Sequence, residues 1–569
     1  MVTVSLRPYH KGLTLEAPMK TTRRDFIGEG LGFAALTGLG GCRLAGGTDA
    51  FAGIDVPSTA TPNYWCTWCT QDAALVGGRL VLPPSFAGDK CKATCRDGMN
   101  ETSLFRKGGW VDFYPAVRSD LFLLLDDGWD VPFGATSDVA ASYAHFGTMA
   151  PDPVRFASFR GTAAERVRAI RDRVVAGGWR GLGVWVSPAC QACKQEQPDL
   201  ALSRAEWTRK LEDMAAGGVG YLKVDWGRHD VPEFRALLTE LCHKICPGTI
   251  VEHAQVQGPT NGLHFDENQR VFGTCRRIGD PTDETWLRKT AEKVMPHSDV
   301  WRIYDMMEKL QTVMAAERIA CYQELADRLR VGTILCAEDR VYEGAVMGCS
   351  FGVMRSAEMK GYFPDDIERS GACLVEVERA VRWQRLAPAF GWRAGFEMRH
   401  SDKTLYDEAS YKKGEHWCAF VKDGGTLRQG GPAVLARGLP LPEVTPEKGG
   451  DVPFAMAARH PNGALSVGVM PRMPNGRRVT PKVTVRLDAE LGRNGLLGAF
   501  GRFGAFDVGV AKDATRVWAC DLAGSVPQDV TSACRLSGGR LLVPGTVLED
   551  VCRARSTDGS APGVAFAVS

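Results

Sequence analysis

The sequence predicts an α/β fold: a (β/α)₈ TIM barrel followed by a C-terminal antiparallel β domain. Three observations carry this. Short apolar runs without polar alternation recur along the first two-thirds of the chain, as expected of strands buried on both faces of a parallel sheet. Amphipathic segments separate them, the mark of repeated βα units. From about Gly391 onward the helical periodicity fades, and short β-rich runs alternate with Gly, Pro and Asn turns.

The expected barrel strands are Tyr64–Trp68, Leu121–Leu125, Leu182–Val186, Tyr221–Val224, Ile250–His253, Val300–Tyr304, Thr333–Cys336 and Gly352–Met354. Together with their crossover helices they occupy roughly 330 residues, a barrel somewhat enlarged by insertions. Ala163–Val175 carries Val167, Ile170 and Val174 on one stripe, and Ala205–Ala216 follows Ser203 as its cap. Pro232 opens a helix that reaches Ile245, and Met306–Val331 is long and amphipathic. The barrel is assigned to 55–388 and the β domain, read as a sandwich, to 391–569. In the latter, Trp417–Val421, Leu465–Met470, Val483–Leu487, Val517–Cys520 and Leu541–Val543 are the clearest strands.

Residues 1–42 have a different texture. Arg23-Arg24-Asp25-Phe26-Ile27 precedes a Gly- and Ala-rich, weakly hydrophobic stretch, which reads as a twin-arginine export signal. Leu39-Gly40-Gly41-Cys42 resembles a lipobox, making Cys42 a candidate lipid anchor. The expected location is outside the cytoplasm of a bacterium, either periplasmic or as a membrane-anchored lipoprotein.

Among 569 residues, 69 are Lys or Arg and 67 are Asp or Glu, a net charge of +2 without blocks of one sign. Such a surface gives no electrostatic footprint for nucleic acid. The hydrophobic share of 44% is that of ordinary globular material rather than a disordered chain or a multi-span membrane protein. Eighteen cysteines include the close pairs Cys66/Cys69, Cys91/Cys95, Cys190/Cys193 and Cys242/Cys246. Disulfides formed after export, a metal site from the first two pairs, and buried thiols all remain open readings. No His-x-x-x-His spacing and no glycine-rich phosphate cradle occurs, so no catalytic metal or cofactor is expected.

The chemistry lies at the ends of the expected strands. Asp126 and Asp127, then Asp225, Glu252, Asp305, and finally Glu338 and Asp339 each stand at or directly after an apolar run. Barrel enzymes place their reacting groups on that rim. Lys223 precedes Asp225 by two positions and shares its side of the strand, and a neighbouring ammonium keeps a carboxylate ionised, as a nucleophile requires. Trp129 and Trp185 are candidates for stacking on the apolar face of a pyranose. Paired carboxylates beside such rings suit glycosidic bond cleavage.

Asp126-Asp127-Gly128-Trp129, Tyr221-Leu222-Lys223-Val224-Asp225-Trp226 and Trp301-Arg302-Ile303-Tyr304-Asp305 together resemble the clan of glycoside hydrolase families 27 and 36. That clan holds α-galactosidases and α-N-acetylgalactosaminidases built on a barrel followed by a β domain. The resemblance spans roughly Asn63–Met354. It implies a retaining double displacement with Asp225 as nucleophile and Asp305 as acid and base. Asp126, Asp127 and Lys223 would hold sugar hydroxyls, and Glu252 with Arg302 would face the 2-substituent of an oligosaccharide or glycan substrate.

Two departures stand out. One residue fewer separates Arg302 from Asp305 than in family members. Ala337-Glu338-Asp339-Arg340 replaces the family's Trp-Asn-Asp-Pro-Asp-like stretch, which makes Glu338 a reserve candidate for the acid and Glu338 and Asp339 candidate sugar contacts. The related specificities are α-N-acetylgalactosaminidase and β-L-arabinopyranosidase. The alternative from another class is a non-catalytic carbohydrate-binding lipoprotein on the same barrel.

Overall fold

A computed structural model describes residues 48–71, 74–76, 79–81, 96–133, 148–187, 200–225, 232–254, 264–266, 271–273, 291–303, 308–359, 371–413, 423–447, 450–492 and 495–569. The expected export segment with Cys42, Cys91, Cys95, Cys190, Cys193, Trp226, His229, Tyr304, Asp305 and the expected strand Trp417–Val421 lie outside them. Among the described residues, no helix is long and apolar enough to cross a membrane.

Eight parallel strands form the barrel: β1 Asn63–Cys66, β2 Leu121–Leu125, β3 Gly181–Val186, β4 Tyr221–Val224, β5 Ile250–Ala254, β6 Val300–Arg302, β7 Ile334–Cys336 and β8 Gly352–Val353. They are ordered as in the chain, and β8 pairs with β1 through Tyr64 opposite Gly352. A parallel bridge from Cys336 to Ser350 joins the last two, so the sheet closes on itself.

Each expected barrel strand is present, with ends shifted by a residue or two. The alternation within the runs, hidden by their uniform hydrophobicity, now separates two cores. Leu121, Leu123, Leu125, Leu182, Val184, Leu222 and Val224 point outward into the helix layer. Tyr64, Phe122, Leu124, Trp185, Tyr221, Val300 and Cys336 point inward and fill the barrel. Glycines on inward positions make the space for the large rings. A Cβ at Gly352 would stand 2.3 Å from the Tyr64 hydroxyl, and one at Gly183 would stand 3.1 Å from Tyr221 Cβ.

The helices include α1 Ala163–Ala176, α2 Leu200–Gly217, α3 Pro232–Ile245, α4 Gln311–Leu329, α5 Val341–Met347 and α6 Leu374–Leu386. Thr162 caps α1 in a capping box with Glu165, and Val167, Ile170 and Val174 are its buried stripe. Ser203 is not a cap. The helix is already under way at Leu200, whose Leu-Ala-Leu run favours helix, and Ser203 is buried inside it. Glu308–Leu310 form a 3₁₀ turn, so α4 starts five residues later than expected, and Arg330 ends it in the left-handed conformation.

Beyond the barrel, an eight-stranded sheet runs from Met398–His400 to Gln528–Asp529, and a five-stranded sheet is centred on Ala505–Val510. Both are mixed and mostly antiparallel; Leu465–Met470 runs parallel to Leu496–Gly501, and Val483–Leu491 to Ala505–Val510. Val467, Val485, Val508, Leu541 and Phe566 belong to one core shared by the two sheets, as in a sandwich. The other face of the larger sheet supplies Phe454, Met456 and Phe500 to the core that also holds Val346 of α5 and Trp383 of α6. That double burial explains why Phe454–Arg459 and Leu465–Met470 carry almost no polar alternation. Arg379 of α6 clamps Asp521 through Nε at 2.8 Å and Nη2 at 3.0 Å across the same contact.

A third sheet joins the two regions. The hairpin Thr404–Lys413 and Asp423–Pro432 continues through Val271–Gly273 to His264–Asp266, both contributed by the excursion between β5 and β6. Gln429 fastens this hairpin to α4 by donating to Glu317 Oε2 at 2.6 Å.

Candidate active site

The C-terminal ends of the barrel strands deliver a connected set of charged groups to the inside of the barrel. Inward residues recur every second position, so Tyr221, Lys223 and Asp225 share one side of the segment that contains β4. Lys223 is level with Trp185 on one neighbour and Glu252 on the other.

Arg302, at the end of β6, is the hub. Its Nη2 lies 3.0 Å from Asp225 Oδ1, its Nε 3.1 Å from Glu252 Oε1, and its Nη1 2.9 Å from Glu338 Oε1. Glu338 takes the left-handed backbone conformation, φ 47°, directly after β7, which suits a side chain turned back over the barrel end. Glu252 accepts two further hydrogen bonds from below, from Tyr64 Oη at 3.0 Å and Tyr221 Oη at 2.7 Å. Burial holds both phenols well above their ordinary pKa, so they remain donors. Burial also outweighs Arg302 and the tyrosines at Glu252, leaving its carboxyl above the usual range.

Asp225 differs. Burial acts to raise its pKa, but Arg302, Lys223 and the indole N–H of Trp185 override that and hold it below the usual carboxylate range. Trp185 Nε1 donates to Asp225 Oδ2 at 2.9 Å, and Arg235 Nη2 donates to the Asp225 carbonyl at 2.5 Å. Arg235 also contacts His253 Nδ1 at 3.2 Å, while Thr239 meets the other ring nitrogen at 2.7 Å; burial keeps this histidine neutral beneath the site.

On the opposite side of the barrel mouth, Lys223 Nζ lies 2.5 Å from Asp126 Oδ2 and 3.5 Å from Cys66 Sγ. Cys66 donates to the same carboxylate oxygen at 2.9 Å. Burial pushes the thiol pKa up, while at the lysine Asp126, Cys66 and Asp225 outweigh burial and Arg302 and raise it, so thiol and ammonium both persist. Asp127 accepts a bidentate pair of hydrogen bonds from one guanidinium edge of Arg96, Nε to Oδ1 and Nη2 to Oδ2, each at 3.0 Å.

Seven of the expected site residues, Asp126, Asp127, Lys223, Asp225, Glu252, Arg302 and Glu338, are therefore brought to one end of the barrel interior. Three expectations change. Trp129 and Trp185 do not offer faces for stacking: both are fully buried, Trp129 donates to the Trp185 carbonyl at 2.9 Å, and Trp185 positions Asp225. Their size suited them to fill the space around β3, which is what buries them. Asp339 is no sugar contact either, because it is fully buried against Arg355, Nε to Oδ2 2.6 Å, and accepts the Met354 N–H. Asp305 lies outside the described residues.

The partners Arg96, Tyr64, Tyr221, Arg235 and Arg355 were not anticipated. Tyr221 carried a usable signal, since it stands two and four positions before Lys223 and Asp225 on the same side of the strand; no charged residue stands at those spacings from Tyr64. Among the described residues every cysteine is unbridged, and no group of three or more metal-ligating side chains forms.

No family model matches this chain, and no curated protein matches it. Chains of solved structures do match. One is the carboxyl transferase domain of pyruvate carboxylase from Rhizobium etli, solved with pyruvate, at 13% identity and a TM-score of 0.30. The match covers 63% of this chain and 55% of that one, so this chain spans little over half the length of that structure. A likeness of that degree carries no argument about activity.

Proposed function

We propose that this chain is an exported retaining glycoside hydrolase, α-galactosidase-like, that works through a covalent glycosyl-enzyme on Asp225. The observation that carries the proposal is the state of Asp225. It stands at the C-terminal tip of a barrel strand, oriented by Trp185 and kept ionised by Arg302 and Lys223. A carboxylate so held is ready to attack an anomeric carbon and is poorly suited to donate a proton.

In the first step Asp225 would form a bond to C1 as the C1–O bond breaks, with the leaving oxygen taking a proton from the acid. In the second, the same acid, now a base, takes a proton from water as the water oxygen displaces Asp225. Asp305 fills the acid's position by resemblance. Glu338 is the weaker candidate, because it is already ion-paired with Arg302. Glu252 and Arg302 suit contact with the 2-substituent, and the Asp126–Lys223 pair suits a hydroxyl that both accepts and donates. The twin-arginine segment supports action outside the cytoplasm.

The same engagement of Glu338 favours a second reading, a barrel that binds sugar without turning it over. A turnover panel separates the two, with aryl α-galactoside, α-N-acetylgalactosaminide, β-L-arabinopyranoside and unrelated glycosides given to wild type and to Asp225→Asn. The expected result is turnover on one of the first three that falls on the order of 10⁴-fold or more in the variant. Silence on all of them, with retained sugar binding, would favour the second reading.

A further inference from the structure

A second cleft is built from the same face of the barrel. The loop after β6 ends at Lys309 and Leu310, where α4 starts, and the loop after β7 ends at Arg340, where α5 starts. Helices that follow barrel strands begin on the face to which the strand tips point, so these two starts lie on the rim that carries the charged network. Arg472 and Arg478 of the β domain close the cleft, a small cavity of about 30 Å³ that opens to solvent.

Its chemistry is opposite to that of the barrel mouth. Among the described residues of the mouth, Asp126, Asp225, Glu252 and Glu338 stand against Lys223 and Arg302, a formal excess of two negative charges. The cleft is lined by three guanidinium groups and the Lys309 ammonium against one carboxylate, Asp407. Arg340 pairs with Glu343 and donates to Thr312 Oγ1 at 2.9 Å, and Arg472 pairs with Asp407 at 2.7 Å. Arg478 is exposed and forms no ion pair among the described residues.

Gln311 points to a ligand. It is the first residue of α4, it lines the cleft, and its relative exposure is only 2%. Yet neither Nε2 nor Oε1 has a hydrogen-bond partner among the described residues, and native proteins rarely leave a buried amide in that state. No side chain caps this 19-residue helix, because Leu310 occupies the N-cap position. An amide donor, an uncapped helix start and an unpaired guanidinium in one cleft suit a compact oxyanion.

Resting on the glycosidase reading above, we infer that this cleft receives a carboxylate or sulfate ester carried by the glycan substrate, on a sugar lying outside the strand-tip network. The negative excess of the barrel mouth repels such a group from the reacting centre, and the cleft offers it a place on the same rim. The substrate class is therefore an acidic glycan.

The test is direct binding to the full chain by calorimetry, which needs no turnover. The probes are a neutral galacto-oligosaccharide, its sulfated and uronate-bearing counterparts, and inorganic sulfate alone. Wild type is expected to bind at least one charged oligosaccharide about 10-fold tighter than the neutral one. Arg478→Gln and Gln311→Leu should each reduce that preference to about twofold or less, whereas Arg477→Gln, the same charge change on an exposed neighbour outside the cleft, should keep it. Equal affinity for neutral and charged sugars overturns the inference. So does a preference that survives both cleft variants, or binding of inorganic sulfate with no gain for either charged sugar. Charge-dependent binding without turnover on any glycoside would leave the cleft standing and remove the hydrolase; turnover on neutral and charged substrates alike would do the reverse.

Discussion

Trp185 donates its indole N–H to Asp225 Oδ2 at 2.9 Å from a ring with no exposed surface. The ring belongs to the interior of the barrel, and its polar edge reaches the charged network at the strand tips. One side chain thus links the packing of the barrel to the ionisation of the group proposed to react.

Trp185→Phe keeps most of that packing and removes the donor. A hydrogen bond to a charged group contributes about 1.5–3 kcal/mol, so the Asp225 pKa should rise by about 1–2 units. The acid limb of the kcat/KM profile should move up correspondingly. Asp225 is depressed in the folded protein, so its ionisation stabilises the fold above the ordinary carboxylate range, and that contribution is lost as pH falls through the depressed value. The variant should therefore lose less stability than wild type on acidification. A pH–rate profile and acid titration of both proteins check the two outcomes together.

Arg302→Met would leave Asp225, Glu252 and Glu338 without their common cation. Removing one partner of a buried ionic group typically costs about 3–5 kcal/mol, and urea unfolding should show a loss of that order. Adding Glu338→Gln should restore part of it by removing one of the three carboxylates. No recovery in the double variant would show that Glu338 does not depend on Arg302.

Asp130 follows Trp129 and is buried, and burial drives its carboxyl up to about 7, only partly opposed by the Met149 N–H on Oδ2. A carboxyl raised in the folded state binds its proton more tightly there than in the unfolded chain, so wild type loses stability as pH rises from about 4 to about 7. Asp130→Asn removes that dependence. Its stability relative to wild type should grow across that window by up to about 4 kcal/mol and then level off. Denaturation curves at pH 4, 5.5, 7 and 8 read this directly.

Gly352→Ala places a methyl group against the Tyr64 hydroxyl, in the wall of the barrel. Overpacking of this kind costs about 1–3 kcal/mol. Because Tyr64 donates to Glu252, turnover should fall along with stability. A drop in Tm with unchanged kcat would show that Tyr64 is structural only.

The barrel was legible because strands such as Leu121–Leu125 are buried on both faces and read as unbroken apolar runs. The carboxylates were legible because they interrupt those runs at one end. What could not be read was which cation holds which acid. Arg96 reaches Asp127 from 31 positions upstream, and Arg355 meets Asp339 only after β8 has closed the barrel. The fate of Trp129 and Trp185 was hidden for a related reason: a tryptophan beside a carboxylate reads alike whether it faces solvent or fills the core. The pairing of Asp423–Pro432 with Val271–Gly273 joins segments about 150 residues apart, and nothing local to either encodes it.

The most direct test of a nucleophilic Asp225 is covalent trapping. The full chain is incubated with a fluorinated, activated α-galactosyl substrate that forms the glycosyl-enzyme quickly and releases it slowly, and its peptides are then weighed. The expected result is one added glycosyl mass on the peptide containing Asp225, absent from Asp225→Asn. A label on another carboxylate, or turnover of the ordinary substrate that persists in Asp225→Asn, would contradict the assignment.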